Sequence, residues 1–247
     1  MSVPSHSFLF SRALCLLVLM VGMVYTAFVH AQVSLTQLSE DTLIDAGGQH
    51  HTEVEPGTFS SGSTMVTAFQ VGRNAIAGGA DVGFATSTDG GASWTNGYLP
   101  GITTYEGGTY QAASDPTVAY DALHKVWLIA TLVTNFGPYI IQLSTAMEVS
   151  RSTDGINWSN PIMVTGSSSA DKEWIVCDNP ATSPYYGHCY SVWFDFSSGL
   201  IQMSTSIDGG QTWGPALATA GNDCCTSGVP VVQPNGKVIV PFEGPMV

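Results

Sequence analysis

The sequence has little charge, and positive charge is the scarcer kind. Only 10% of its 247 residues are charged, and 6 Lys and Arg stand against 19 Asp and Glu, giving a net charge of −13. No basic cluster is present, so neither nucleic acid nor an anionic membrane surface is expected as a partner. Because 44% of the residues are hydrophobic, the low charge does not indicate disorder.

Long stretches rich in the helix-forming residues Leu, Glu and Lys are also missing. In their place the chain has 27 Gly and 13 Pro, together with many Ser, Thr and aromatic residues. Such a composition favours short strands joined by many turns. The sequence therefore predicts an all-β protein.

Cysteine is scarce as well, and Cys15 falls in an N-terminal apolar segment. The other four are Cys177, Cys189, Cys224 and Cys225. Their spacing lacks the paired C-x-x-C or the matched His pair of a zinc site. In an oxidising compartment they allow three disulfide pairings. The first two flank a predicted hairpin and could face each other across it, which would leave the last two as a vicinal disulfide or as two thiols.

Residues 1–31 have the build of a secretory signal peptide. Arg12 precedes the apolar run 13–24, and residues 29–31 (Val-His-Ala) form a small-x-small cleavage pattern before Gln32. The alternative is an uncleaved anchor, because the apolar character nearly reaches spanning length. Cleavage would leave no membrane span, and we expect a secreted or periplasmic protein.

A short motif occurs three times and ends each time in tryptophan. We call the three copies the aspartate turns. The shared positions are Ser87, Asp89, Gly91 and Trp94 in the first copy, Ser152, Asp154 and Trp158 in the second, and Ser206, Asp208, Gly210 and Trp213 in the third. Each copy lies between two extended segments, which places it at the tip of a β-hairpin. Asp accepts backbone N–H groups, Gly supplies positive φ, and Trp offers a large apolar face. Folding alone explains every residue, so these aspartates are predicted to be structural.

The segments between the aspartate turns repeat too, as strand, turn and strand. The unit is then four antiparallel strands in about 50–60 residues, a period typical of β-propeller blades. After a lead-in at 32–49, the predicted blades span 50–100, 114–165 and 171–220, with a partial blade at 226–247. About three and a half blades would leave an open sheet edge. We interpret the sequence as a fragment of a longer propeller; a second chain that completes the ring is the alternative.

The aspartate turns resemble the Asp-box, or BNR repeat, of the sialidase superfamily, and the resemblance covers residues 50–247. It implies a six-bladed propeller whose Asp-boxes lie at the periphery and whose glycan substrate binds at the centre. Sialidases of this family hold the substrate carboxylate with three arginines. They use a Tyr–Glu pair as the nucleophile and an aspartic acid as the general acid. Here only Arg73 and Arg151 follow residue 31, and "HHTEVEP" stands where the family has Arg-Ile-Pro. Arg73 follows an outward-running strand and Arg151 abuts an aspartate turn, so neither is expected at the site.

Chemistry in such a ring is expected at the starts of the innermost strands. Carboxylates that converge there could act as general acid and base on a glycosidic bond. The candidate catalytic residues are Asp115, Asp171 and Glu173, and the candidate substrate-binding residues are Glu53, His51 and Lys172. The structural alternatives are that the two aspartates cap turns, that His51 is solvated in a loop, and that Glu53 and Glu55 face water on one side of a strand.

Two functions follow from this pattern. One is a secreted, sialidase-like glycoside hydrolase whose sugar need not be sialic acid. The other is a non-catalytic propeller that binds glycan or protein outside the cell. The expected partner is a carbohydrate or glycoprotein, and no cofactor is predicted. Acidic loops near Asp81 and Asp223 lack a full calcium-ligand string, so calcium is unsupported.

Overall fold

A computed structural model of the chain describes residues 35–44, 48–136, 143–166, 169–224 and 228–244. The predicted signal peptide and Cys225 lie outside these ranges. The described residues form fourteen strands and one 3-10 helix at Thr104–Glu106, which confirms the all-β prediction. No helix within these ranges is long and apolar enough to cross a membrane.

Three antiparallel units of four strands follow one another along the chain, and each is one blade; a single residue pair, Gly79 and Ala113, joins the first two units into one sheet. In every blade the strands pair in chain order. Blade one contains β1 (Gly48–Ser61), β2 (Thr64–Asn74), β3 (Gly79–Ser87) and β4 (Thr95–Tyr98). Blade two contains β5 (Ala112–Asp121), β6 (Val126–Phe136), β7 (Leu143–Ser152) and β8 (Ile162–Thr165). Blade three contains β9 (Ala170–Cys177), β10 (Cys189–Asp195), β11 (Leu200–Ser206) and β12 (Leu217–Ala218), and a two-stranded piece follows with β13 (Val231–Val232) and β14 (Val238–Ile239).

The first strands of successive blades are neighbours. Strand β1 contacts β5, β5 contacts β9, and β9 contacts β13. These four strands therefore line the hub of a propeller, the fold class predicted from the sequence. The contact is closest where Gly57 meets β5, because a Cβ atom at that position would overlap the carbonyl oxygen of Pro116 and lie 3.1 Å from the Cα of Thr117.

The hydrophobic core lies between the blades rather than within one of them. Side chains of β6 alternate between two layers: Trp127 and Ile129 pack toward blade one, whereas Val126 and Leu128 pack toward blade three. Both faces of this strand are buried. A strand that is covered on both sides favours apolar residues at consecutive positions, which explains the apolar run 126–130 in β6.

The Ser and Asp side chains of each aspartate turn are hydrogen-bonded within the turn. In the first, the Asp89 carboxylate accepts the backbone N–H of Ser93 at 2.9 Å and the hydroxyl of Ser87 at 2.8 Å, and the Ser87 oxygen accepts the N–H of Gly91 at 2.8 Å. Hydrogen bonds from Ser93 and Ser87 lower the pKa of Asp89 to about 2. Asp154 and Asp208 accept the equivalent backbone N–H groups. The hydrogen-bonding capacity of these carboxylates is therefore used within their own turns.

The second and third aspartate turns also fasten each blade to the one before it. The Thr86 hydroxyl of blade one donates to the carbonyl oxygen of Gly155 at 2.6 Å, and the ring of Trp158 lies 5.8 Å from that of Phe84. In the next seam, Arg151 Nε donates to the carbonyl oxygen of Gly209 at 2.6 Å. Arg151 therefore has a structural task far from the hub.

A disulfide joins the end of β9 to the start of β10. Cys177 and Cys189 are directly opposite one another in the strand register and are bonded through their sulfur atoms. The hairpin pairing considered from the sequence is confirmed. It ties the innermost strand of blade three to its neighbour.

We predict that Gly57→Ala destabilises the protein by about 1–3 kcal/mol, because the added methyl group must displace the backbone of β5. Urea unfolding followed by tryptophan fluorescence would measure the change. Gly166→Ala is the matched control, since a Cβ atom there meets nothing within 4 Å. Equal unfolding midpoints for the two variants would contradict the close hub packing.

Candidate functional site

Each innermost strand has a register shift at the same place. The shifts lie between Val54 and Gly57 in β1, between Ser114 and Thr117 in β5, and opposite Val192 and Phe194 in β9. Such bulges redirect side chains and are frequent beside active sites.

One non-glycine residue in each bulge adopts a left-handed backbone. The φ angles are 53° for Glu55, 47° for Asp115 and 54° for Lys172. A left-handed conformation costs a residue with a side chain on the order of 1 kcal/mol or more. Because the strain recurs at equivalent positions of three blades, it indicates a functional constraint at the hub.

The three bulges enclose one pocket. Its volume is about 310 Å³, and it is lined by residues 55–57 of β1, 115–117 of β5 and 172–174 of β9, with Gly228 and Val229 from the segment before β13. Four successive blades thus contribute to it. We call it the hub pocket.

Charged side chains from the three bulges contact one another in the hub pocket. Lys172 Nζ lies 3.5 Å from the Asp115 carboxylate and forms an ion pair with it. The Asp115 and Glu55 carboxyl groups hydrogen-bond to each other, and Gln70 donates its amide N–H to Glu55. Burial, followed by the negative charge of Asp115, raises the pKa of Glu55. Two carboxyl groups in contact favour holding a proton between them.

Glu173 is the most unusual carboxyl group of the hub pocket. It is only 2% exposed, and neither carboxyl oxygen has a hydrogen-bond partner among the described residues. Burial, reinforced by the charge of Asp115, raises the pKa of Glu173 well above 4.5. An unpaired buried carboxylate is costly, so this side chain is held in its protonated form. A neutral carboxylic acid in a pocket can donate a proton.

Asp171 lies beside the hub pocket without lining it. Burial, and then the charge of Asp115, raises the pKa of Asp171. Its carboxyl group therefore adds to the negative field around Glu173.

Comparison with known proteins gives structural likeness without sequence likeness. No protein-family model and no curated protein sequence matches the chain. Among solved structures, the leech intramolecular trans-sialidase superposes with a TM-score of 0.56 at 11% identity, covering 84% of this chain and 49% of that one. The fold is that of a sialidase-like β-propeller.

Other solved propellers match to a similar degree. The intramolecular trans-sialidase of Ruminococcus gnavus gives a TM-score of 0.55 at 13% identity, with 82% of this chain and 67% of that one covered. The α-L-arabinanase of Penicillium chrysogenum gives 0.55 at 13% identity, with 80% and 55% covered. The chain thus spans between about half and two thirds of the length of these structures. At such identities they show the propeller fold alone.

The propeller brings half of the sequence-predicted site residues into the hub pocket. Asp115, Lys172 and Glu173 line it, and Asp171 lies next to it. Glu53 and His51 are elsewhere: a Glu53 oxygen accepts the hydroxyl of Ser39 at 2.6 Å, and His51 is exposed in an earlier bulge of β1. These roles remain predictions.

Sequence reasoning missed the residues that support Glu55. Alternation along β1 places Glu53 and Glu55 on the same side, but the bulge after Val54 turns only Glu55 into the hub pocket. Arg73 does not line the hub pocket, as the sequence predicted, but it contacts Gln70, which in turn binds Glu55. The repeated dipeptides Glu55-Pro56 and Asp115-Pro116 were the available signal, since both mark the same bulge.

The described residues contain no group of three or more His, Cys, Asp or Glu side chains able to hold a metal ion. The two acidic loops considered for calcium have other hydrogen bonds. Asp81 accepts the backbone N–H of Val82 at 2.8 Å, and Asp223 accepts the hydroxyl of Thr219 at 2.9 Å.

We predict that the stability of the protein falls as the pH rises above about 4.5, and that Glu173→Gln removes part of this fall. A carboxyl group with a raised folded-state pKa binds more protons when folded, so stability is lost as the pH rises from the unfolded value through the folded one. The difference in unfolding free energy between pH 5 and pH 8 should shrink by about 1–3 kcal/mol. Burial raises the pKa of Asp81 and that of Glu148 to about 7. Their contribution to the pH dependence of stability is the same in the parent and in the variant.

Urea unfolding at the two pH values would measure this difference. The control is Glu243→Gln, at an exposed position. A Glu173→Gln protein with the same pH dependence as the parent would show that Glu173 is ionised at ordinary pH.

Proposed function

We propose that the chain is part of a secreted or periplasmic glycoside hydrolase that binds a glycan at the hub pocket. The single observation that carries the proposal is Glu173, a buried and unpaired carboxylic acid that faces an acidic ion-pair network within a cavity. The fold supports it, because solved propellers of this kind include a trans-sialidase complexed with 2,7-anhydro-Neu5Ac and an arabinanase complexed with arabinobiose.

Glu173 has the properties that proton donation to a glycosidic oxygen requires. Glycoside cleavage needs one carboxylic acid that is protonated near the working pH and one carboxylate that is not. Burial together with the Asp115 charge keeps the proton on Glu173. Departure of the leaving-group oxygen would then take the proton from this side chain.

Asp115 has the properties of the second carboxylate. Its carboxylate forms an ion pair with Lys172 at 3.5 Å and lies beside the Glu55 carboxyl group. A carboxylate beside the bound sugar can activate water or stabilise positive charge on the sugar ring. Lys172 holds Asp115 in place, and Gln70 holds Glu55.

The proposed location rests on two features of the chain. Residues 1–31 have signal-peptide composition, and Cys177 and Cys189 form a disulfide. Structural disulfides persist in oxidising compartments outside the cytoplasm.

A glycan-binding propeller without catalysis is the second candidate. It is favoured by the lack of any arginine lining the hub pocket in the described part of the chain, where Arg73 and Arg151 have other contacts. It predicts retention of glycans without turnover.

We predict that Glu173→Gln lowers kcat/KM for glycosides with poor leaving groups by about 10²–10⁴-fold, because the leaving oxygen is no longer protonated. Aryl glycosides with acidic phenol leaving groups need little protonation, so kcat/KM for these substrates should fall much less. Release of sugar from a series of aryl and alkyl glycosides by the complete protein would measure both effects.

Asp208→Asn is the matched control for this series, because its carboxylate lies in the third aspartate turn. At a temperature where it is folded, this variant should keep parental rates. Equal losses for good and poor leaving groups in Glu173→Gln would remove Glu173 from the acid role. Bound glycans that are never cleaved by the parent would favour the binding propeller.

A further inference from the structure

Carboxyl groups outnumber cationic groups around the hub pocket. Glu55, Asp115 and Glu173 line it, and Asp171 lies beside it. Lys172 is the one cationic side chain among its lining residues, and its ammonium group is already paired with Asp115. Because the carboxyl groups outnumber the one ammonium group, an anionic ligand finds no free cation among these lining residues.

Neither of the two arginines in the described part of the chain lines the hub pocket. Arg73 Nη1 donates to the carbonyl oxygen of Gly78 at 2.8 Å and contacts Gln70 at 3.5 Å. Arg151 binds the carbonyl oxygen of Gly209 in a seam between blades. A sugar carboxylate is best held by the planar fork of a guanidinium group, and this pocket has none among its lining residues.

The wall of the hub pocket also offers an apolar surface. Trp174 lines it and is 40% exposed, although it belongs to an innermost strand, and Val229 of the following blade and Pro56 of β1 lie in the same cavity. The indole faces a site rather than the core. Aromatic faces pack against the C–H faces of sugar rings, and this contact needs no charge on the ligand.

A ligand is independently indicated by the unsatisfied acid. Both oxygens of Glu173 lack partners among the described residues, although the side chain is 2% exposed. A buried polar group without a partner in a native fold calls for one, and sugar hydroxyl and glycosidic oxygens can supply it.

From these contacts we infer that the sugar unit seated in the hub pocket is uncharged, with its ring stacked on Trp174 and its hydroxyls on the Glu55–Asp115 carboxyl pair, and that sugars carrying a carboxylate are rejected. This rests on the proposed glycan site but not on catalysis, because it concerns binding. It distinguishes the protein from a sialic acid enzyme by the charge of the sugar it selects.

The test uses matched pairs of glycosides that differ only in the carboxylate. Glucosides and glucuronides, galactosides and galacturonides, and lactose and sialyllactose are titrated into the complete protein carrying Glu173→Gln, and binding is followed by calorimetry. We expect at least one neutral member to bind at least tenfold more tightly than its acidic counterpart. The ratio of the two dissociation constants should fall as the salt concentration rises from 20 mM to 500 mM, because salt screens charge repulsion.

Substitutions at two residues of the hub pocket locate the effect, with Glu243→Gln as the control. Glu55→Gln should improve binding of the acidic member severalfold, whereas Glu243→Gln, an exposed charge change, should leave the ratio unchanged. Trp174→Ala should weaken neutral binding at least tenfold, and Trp174→Phe should restore most of it.

Each remaining outcome has a distinct meaning. Acidic sugars that bind as tightly as neutral ones, or failure of all pairs to bind, would overturn the inference. Neutral sugars that bind selectively but are never cleaved by the parent protein would support the inference while overturning the hydrolase proposal.

Discussion

The register shift in each innermost strand is the constraint on which the candidate site depends. In a regular strand, side chains alternate between the two neighbouring blades and none points along the hub. The bulges interrupt this alternation at equivalent positions and place Glu55, Asp115 and Lys172 in a left-handed backbone. Close packing of β1 on β5, which only glycine permits at residue 57, holds the bulges together.

Carboxyl groups serve opposite purposes at the two ends of a blade. At the periphery, hydrogen bonds from its own turn lower the pKa of Asp89 to about 2, so this side chain stays ionised and structural. At the hub, burial and the charge of Asp115 raise the pKa of Glu173, which has no donor to stabilise its charge among the described residues. The difference follows from the supply of N–H and O–H donors, since the residue types are nearly the same.

Sequence patterns that depend on neighbouring residues were sufficient to predict the fold. The aspartate turns mark each hairpin, because their Ser and Asp side chains are satisfied within a few residues. The disulfide between Cys177 and Cys189 is one of the three pairings that the sequence left open. The positions of Asp115, Lys172 and Glu173 could be predicted because they begin innermost strands. Glu55 and its support by Gln70 and Arg73 could not, because a bulge shifts the register by tertiary contacts that alternation does not reveal.

The protonation state of Glu173 is the central claim, and it can be measured directly. Carbon-13 NMR of the glutamate side-chain carboxyl groups, titrated from pH 3 to pH 9, follows each group, and comparison with Glu173→Gln assigns the relevant signal. Burial also raises the pKa of Glu148 to about 7, and that signal should be present in both proteins. We expect a further glutamate that titrates well above pH 4.5 in the parent protein to be missing from the variant. A Glu173 signal that titrates together with the exposed glutamates would contradict the proposed proton donor at the hub.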